Sequence, residues 1–231
     1  MSLHTPSSAS TASSDQGHGL RRERSLFIRK RNGDREPLNA VKLSESIASL
    51  CHGLHEVDVQ KILDKVVNGL YDGVTSEEID KLVMHTTAML IADEPEYSKL
   101  AARQLHQFVL DEVNKLKVRS FSESIVHGYE VGLLAESTYN FVLAHREQLD
   151  QAIDHRRSEL FEYFGIRTVY DRYLLKDPEK RWVFETPQYF FMRVACGLSL
   201  NVTEAIEFYD LISSFAYMPS TPTLFNSSST N

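Results

Sequence analysis

From Val41 onward, apolar residues recur at helical spacing through most of the chain, and this period restricts the fold class more than any other feature. Val41, Leu43, Ile47 and Leu50 precede a stop at Gly53, and Val59, Ile62, Leu63, Val66, Val67 and Leu70 mark one face of a second helix. Thr75 and Glu78 stand at capping-box spacing, where the hydroxyl accepts from an orphan amide and the glutamate reaches back to the cap, so a third helix starts there. After Pro95, suited to a first helical turn, Tyr97, Leu100, Ala101, Leu105, Phe108 and Val109 predict a fourth helix to about Lys117. Apolar stripes over residues 121–133, 137–145, 147–162, 165–174, 187–198 and 203–217 predict further helices.

Extended structure is confined to a few stretches. "SLFIRKRNGDREPLN" carries two short runs around Asn32-Gly33, a pair that tolerates positive φ at both central positions of a type I′ turn, and predicts a β-hairpin. "YLLKDPEKRWVFE" predicts a second hairpin turning at Asp177-Pro178, and the proline-bearing "YMPSTPTLFNSSSTN" reads as loop or strand. The expected class is mainly α, of α+β type. With 42% hydrophobic and 25% charged residues the bulk of the 231-residue chain is globular, and no apolar run approaches the ~18 residues that span a bilayer. Residues 1–24 lack the apolar segment of a secretory signal and read as a disordered tail. Cys51 and Cys196, far apart within helical patterns, resemble neither a disulfide framework nor a zinc site, so a cytoplasmic setting is expected. A net charge of -7 argues against broad nucleic-acid affinity, although "RRER" could meet an anion locally.

Lys30, Arg31, Arg35 and Lys42 gather around the first hairpin and the helix after it, where cations beside turn amides suit a polyphosphate; a solvated charged hairpin has the same composition. Thr75 and Ser76 can cap a helix or meet phosphate, and Asp80, one turn in, can accept from a ribose or an exocyclic amine or simply favour the helix dipole. The histidines show no metal-ligand spacing with Cys or carboxylates. "YFFMRV" (189–194) reads as core, Glu159, Glu162, Glu204 and Glu207 as a solvated helix face, and the two cysteines as buried thiols.

Residues 26 to 231 resemble the N-terminal part of the large subunit of the ribonucleotide reductase family. "IRKRNGDREPLNAVKL", "GLYDGVTSEEID" and "PEYSKLAARQL" are similar to the ATP-cone, a regulatory module that binds ATP as activator and dATP as inhibitor. "STPTLFNSSSTN" resembles the first strand and loop of the catalytic ten-stranded α/β barrel, just ahead of that family's first active-site cysteine. The resemblance implies an ATP-cone over 25–117 (a β-hairpin plus a four-helix cone), a helical domain over 118–218 and the start of a truncated barrel over 219–231.

It also implies site residues. Lys30 and Arg31, then the run Glu36, Pro37, Leu38, Asn39, Ala40, Val41 and Lys42, would contact the nucleotide, with Lys42 on the triphosphate. Ser76 stands where the family usually has threonine, and Asp80 where an acid reads the nucleotide. Asp111 occupies a position near the end of the fourth helix where lysine often meets phosphate; Lys115, one turn on, is the candidate substitute. Thr221 would contact the substrate diphosphate. The implied effectors are ATP or dATP with Mg2+, and no catalytic cofactor belongs to this stretch. The implied partners are the rest of the large subunit or its second half, further copies in a homo-oligomer, and a radical-generating small subunit. Neither nucleic acid nor membrane is expected. Without the family's redox and radical-bearing cysteines these residues would not reduce a nucleotide alone. The competing classes are a nucleotide-responsive regulatory or assembly module without a catalytic role, and a helical interaction module without a ligand.

Overall fold

The computed structural model describes residues 26–30 and 33–227; the expected tail over 1–24, Arg31, Asn32 and residues 228–231 lie outside them. β1 (Phe27–Arg29) pairs antiparallel with β2 (Arg35–Pro37) in the register Phe27↔Pro37 and Arg29↔Arg35. Lys30 N–H donates to the Asp34 carbonyl (2.8 Å) and Gly33 N–H to the Lys30 carbonyl (2.9 Å), which joins the two strands. The type I′ turn expected at Asn32-Gly33 includes Asn32, which lies outside the described residues. Gly33 takes a positive φ of 91°, a conformation that suits glycine. A third strand, β3 (Val74–Thr75), adds parallel to β1 through Ile28↔Val74.

Four helices pack beneath this sheet: α1 (Ala40–Ser49), α2 (Val59–Gly69), α3 (Ser76–Met89), followed by a 3-10 turn at Leu90–Ala92, and α4 (Glu96–Lys115). Each of the first three starts on a side-chain cap: Asn39, Asp58 and Thr75 accept from the amides of Lys42, Lys61 and Glu78. Their apolar faces meet in one core, with Ile62, Val66 and Leu100 fully buried. Val41, counted on the apolar face of α1 in the sequence pattern, is instead 67% exposed.

α5 (Phe121–Glu130), α6 (Glu136–Ala144), α7 (Arg146–Ala152), α8 (Tyr163–Arg172), α9 (Pro187–Leu198), α10 (Val202–Ser213) and α11 (Thr221–Asn226) build a second, larger core. α4 serves both, sending Leu100 into the first core and Leu105, Phe108 and Val109 into the second. Tyr189 to Val194 are all buried, as a core segment should be.

Three expectations are corrected here. The helix expected over 147–162 breaks after Ala152 because Asp154, at φ -100° and ψ 92°, turns its carboxylate onto the Arg156 amide and starts a separate 3-10 turn, His155–Leu160. The second hairpin shrinks to one bridge, Lys176↔Val183, because the Asp177 carboxylate draws in the amides of Glu179 and Lys180 (3.0 and 2.7 Å). Loop or strand is expected near the C-terminus, but Thr221–Asn226 is helical, with Pro222 in a first turn that needs no amide from it.

Candidate functional site

The hairpin, the start of α1 and the start of α3 converge on a cavity of about 190 Å³. Six of the sequence-predicted residues line it: Glu36 and Leu38 from β2 and its exit, Asn39 and Lys42 from the head of α1, and Ser76 and Asp80 from the first turns of α3. The heads of α1 and α3 thus border one space, and the positive ends of their dipoles favour an anion there. Asn39 has its carboxamide oxygen committed to the Lys42 amide (2.9 Å), which fixes the backbone at the head of α1.

The cavity shares wall residues with a neighbour on each side. Inward, Leu43, Ser46 and Asp80 are shared with a second cavity of about 180 Å³ between α1, α3 and α4. Its walls are mostly apolar, with Ile47, Val83 and Phe108 among them, and its remaining polar groups are Gln104, Gln107 and Asp111. No lysine or arginine lines it among the described residues. Outward, Ser76 is shared with an open hollow of about 760 Å³ that holds Arg29, Lys30, Lys81 and Lys115 against Glu77 and Glu78, with the half-buried Trp182 also lining it. Charge therefore runs in order from an apolar, acid-edged interior, through Lys42, to a hollow rich in cations.

The cations of the hollow are held by local acids. Lys30 pairs with Glu36, and that hydrogen bond raises its pKa above the ordinary lysine value. Glu77 accepts from Lys81 (2.8 Å) and Lys115 (3.5 Å); the Lys81 hydrogen bond is the main cause of its lowered pKa. Lys115 also lies over the Trp182 ring at 4.9 Å. It faces the hollow with Lys30 and Ser76, whereas Asp111 faces the interior with Asp80, so the two do not occupy equivalent places. Glu78 takes hydrogen bonds from the amide and hydroxyl of Thr75 and from Tyr71, which hold its carboxyl at about 2.

The other predicted positions fall elsewhere. Pro37, Ala40 and Val41 are exposed and line none of these three spaces, and Arg31 is outside the described residues. Thr221 lines a separate apolar groove of about 420 Å³ with Phe190, Phe191 and Leu224, its hydroxyl 3.2 Å from that of Tyr173. Gln104 was not singled out by the sequence, since a glutamine on a helical pattern is usually a surface residue; both its amide atoms are shielded and without a hydrogen-bond partner. No group of three His, Cys, Asp or Glu among the described residues could hold a metal ion. No helix among them is long and apolar enough to cross a membrane. Cys196 is buried, which pushes its thiol up to about 12, and Cys51 is also raised by burial, so neither is a ready thiolate.

Comparison with known proteins agrees with this layout. Residues 26–109 match the ATP cone domain family, and residues 159–231 match the family described as ribonucleotide reductase, all-alpha domain. A ribonucleoside-diphosphate reductase large subunit of Plasmodium falciparum is 33% identical over 208 residues, covering 87% of this chain and 26% of that protein. The large chain of Schizosaccharomyces pombe is 33% identical over 213 residues, with the same two shares. The vaccinia virus large subunit is 33% identical over 213 residues, covering 87% of this chain and 27% of the viral protein. The chain thus spans about a quarter of the length of these relatives. An ATP cone followed by the all-alpha domain, matched in that order along the same relatives, makes this chain a member of the ribonucleotide reductase large-subunit family, corresponding to its N-terminal region.

Proposed function

We propose that residues 25–117 are a nucleotide sensor that binds ATP as activator and dATP as inhibitor, and that it controls a ribonucleoside-diphosphate reductase of which residues 118–218 form the helical domain. The observation that carries this is the ordered charge across three adjoining cavities that share wall residues, with Lys42 and the heads of two helices at the middle one and Lys30 at the outer one. Phosphate oxygens would lie toward Lys42, Ser76 and Lys30, where they displace Glu36 from its lysine partner. Magnesium would arrive on the triphosphate and take most of its ligands from phosphate oxygens and water.

ATP and dATP differ by one hydroxyl, so opposite responses require a group near the sugar that tells them apart and a structural element whose equilibrium that group biases. Asp80, at the junction of the inner and middle cavities, stands where a sugar would pass. α4 is the element that would transmit the difference, since it is packed into both cores and its Lys115 lies on Trp182. The chain would act in the cytoplasm with the remainder of a large subunit, as a homo-oligomer, and with a radical-generating small subunit. Thr221 would contact the substrate diphosphate.

Calorimetric titration with ATP and with dATP tests the sensor. The wild-type chain should bind both, and the Lys30→Glu/Lys42→Glu double variant should lose at least tenfold in affinity for each, a rough figure for two charge-assisted phosphate contacts. Absence of binding by the wild type, or unchanged affinity in the double variant, would remove the assignment.

A further inference from the structure

We infer that Lys115 and Trp182 form a clasp that an anion in the outer hollow opens, so that a short strap of the helical domain registers whether the sensor is occupied. This rests on the nucleotide-binding function proposed above. Lys115, at the end of α4, lies over the Trp182 ring at 4.9 Å and 3.5 Å from Glu77, whose shorter bond, 2.8 Å, is to Lys81. Among the described residues its ammonium thus has one aromatic face and one distant, shared carboxylate. Lys115 and Trp182 both line the hollow that also holds Lys30 and Ser76. A phosphate oxygen entering there offers Lys115 a charge-assisted hydrogen bond, which is stronger than a cation–π contact. The side chain would turn from the ring to the anion.

The strap, residues 177–182 between α8 and α9, is anchored at its base and held at its tip by the clasp. At the base, the Asp177 carboxylate accepts from the amides of Glu179 and Lys180 and lies 3.0 Å from His127 Nε2, while Glu112 on α4 holds the Val183 amide (3.2 Å). At the tip, the Asp177 amide donates to the Trp182 carbonyl (2.8 Å), the Arg181 amide donates to the Asp177 carbonyl (2.9 Å), and Arg181 sits at φ 64°. A residue other than glycine in that left-handed region is strained and stays there only while its surroundings hold it. Trp182 follows it directly and is the residue that Lys115 holds. Release of the ring lets Arg181 relax, so the tip has a second arrangement available. The anion opens the clasp, and by linkage the closed clasp opposes the anion to the same degree.

The chain has one tryptophan, so its indole emission reports the clasp. The test follows that emission and amide hydrogen exchange as wild type, Lys115→Met and Trp182→Leu are titrated with ATP, with calorimetry for affinity. In wild type, ATP should shift the emission and speed exchange at the Asp177 and Arg181 amides, while the Val183 amide, held by Glu112, keeps its rate. Saturating inorganic tripolyphosphate, which has no base to stack on the ring, should give the same emission shift. Lys115→Met should lose the emission response and bind ATP more weakly. Trp182→Leu frees Lys115 and should bind ATP about two- to fivefold more tightly, the size of one cation–π contact. Opposite signs from the two sides of one contact are not what a packing role gives. A wild type that binds ATP without these changes, a shift with ATP alone, or a folded Trp182→Leu chain with no gain in affinity overturns the inference while nucleotide binding stands. A wild type that binds no ATP overturns both. Should either variant fail to fold, the wild-type emission and exchange decide.

Discussion

The Arg193 guanidinium meets the Glu185 carboxylate through two hydrogen bonds of 2.8 Å, Nε to Oε2 and Nη2 to Oε1, with side-chain exposures of 2% and 1%. The pair also bonds the backbone: Arg193 donates to the carbonyls of Ser227 (3.2 Å) and Tyr173 (3.4 Å), and Glu185 accepts from the Leu175 amide (2.8 Å). One buried pair thereby ties α9 to the end of α8 and to the exit of α11, which carries Thr221. Arg193→Met leaves the carboxylate buried without a counter-charge and should destabilise the chain by about 3–5 kcal/mol. Arg193→Met/Glu185→Met removes both charges and should recover much of that loss. Urea unfolding of the three proteins measures it; a single variant as stable as wild type would mean the pair is not solvent-shielded in solution.

Two helical glycines should respond to alanine with opposite signs. At Gly128 in α5, an added Cβ would lie 2.7 Å from Leu134 Cδ1 and 3.0 Å from Phe184 Cε2, both in side chains no more than 1% exposed. Overpacking of about 1–3 kcal/mol outweighs a helix-propensity gain of about 1 kcal/mol, so Gly128→Ala should lower the melting temperature. At Gly165 in α8, the new methyl meets Phe161 Cδ1 at an ordinary 3.5 Å, and Gly165→Ala should raise it. Thermal melts that move in the same direction would contradict the packing drawn here.

What the sequence disclosed followed from how local each signal is. Helical periods and caps are local, so the four helices under the hairpin, and α9 over Pro187–Leu198, were legible, as was the convergence of Lys42, Ser76 and Asp80 near the hairpin. β3 was not: two residues have no periodicity, and Val74 becomes a strand only because β1 lies beside it. Arg193 sat hidden in "YFFMRV", since nothing in that run indicates that Glu185, eight positions earlier, turns back to meet it. Gln104 was invisible for a related reason, because an unpartnered amide is a property of its three-dimensional surroundings. Asp154 was read as part of one helix, although aspartate can divert its side chain to the backbone and end the repeat.

Acid should loosen the head of α3 in a defined window. Hydrogen bonds from Thr75 and Tyr71 hold Glu78 at about 2, against an ordinary value of 4.5. A depressed folded-state pKa means that the contribution is complete above the unfolded value and is lost as pH falls through the folded one. The capping box should therefore weaken from about pH 4.5 down to about pH 2, and Glu78→Gln should flatten that part of the stability curve. Because Ser76 follows the cap directly, Thr75→Ala, which should cost roughly 1 kcal/mol, should also weaken ATP binding. Stability profiles of wild type and Glu78→Gln that stay parallel from pH 5 to pH 2 would exclude the effect.

Glu112 should behave with the opposite sign. It lies on α4 and is 4% exposed, accepting from the Val183 amide (3.2 Å) and, more distantly, from Tyr170 (3.4 Å). Burial raises its pKa above the ordinary 4.5, with the Val183 amide and Lys115 opposing. A carboxyl whose folded-state pKa is raised binds its proton more firmly in the native state, so native stability declines as pH climbs from the unfolded value through the folded one. Glu112→Gln is neutral at every pH, can still accept from Val183 through its oxygen and can donate to the Tyr170 hydroxyl through its nitrogen. The variant should therefore gain on wild type progressively above pH 4.5, in the range where Glu78 has already reached its full contribution. Because α4 is shared by both cores, the gain should appear in the unfolding of the whole chain and not in one half alone. Urea midpoints of the two proteins from pH 4 to pH 8 give the comparison, and a gap that narrows with rising pH would show that the Glu112 carboxylate is stabilised where it lies.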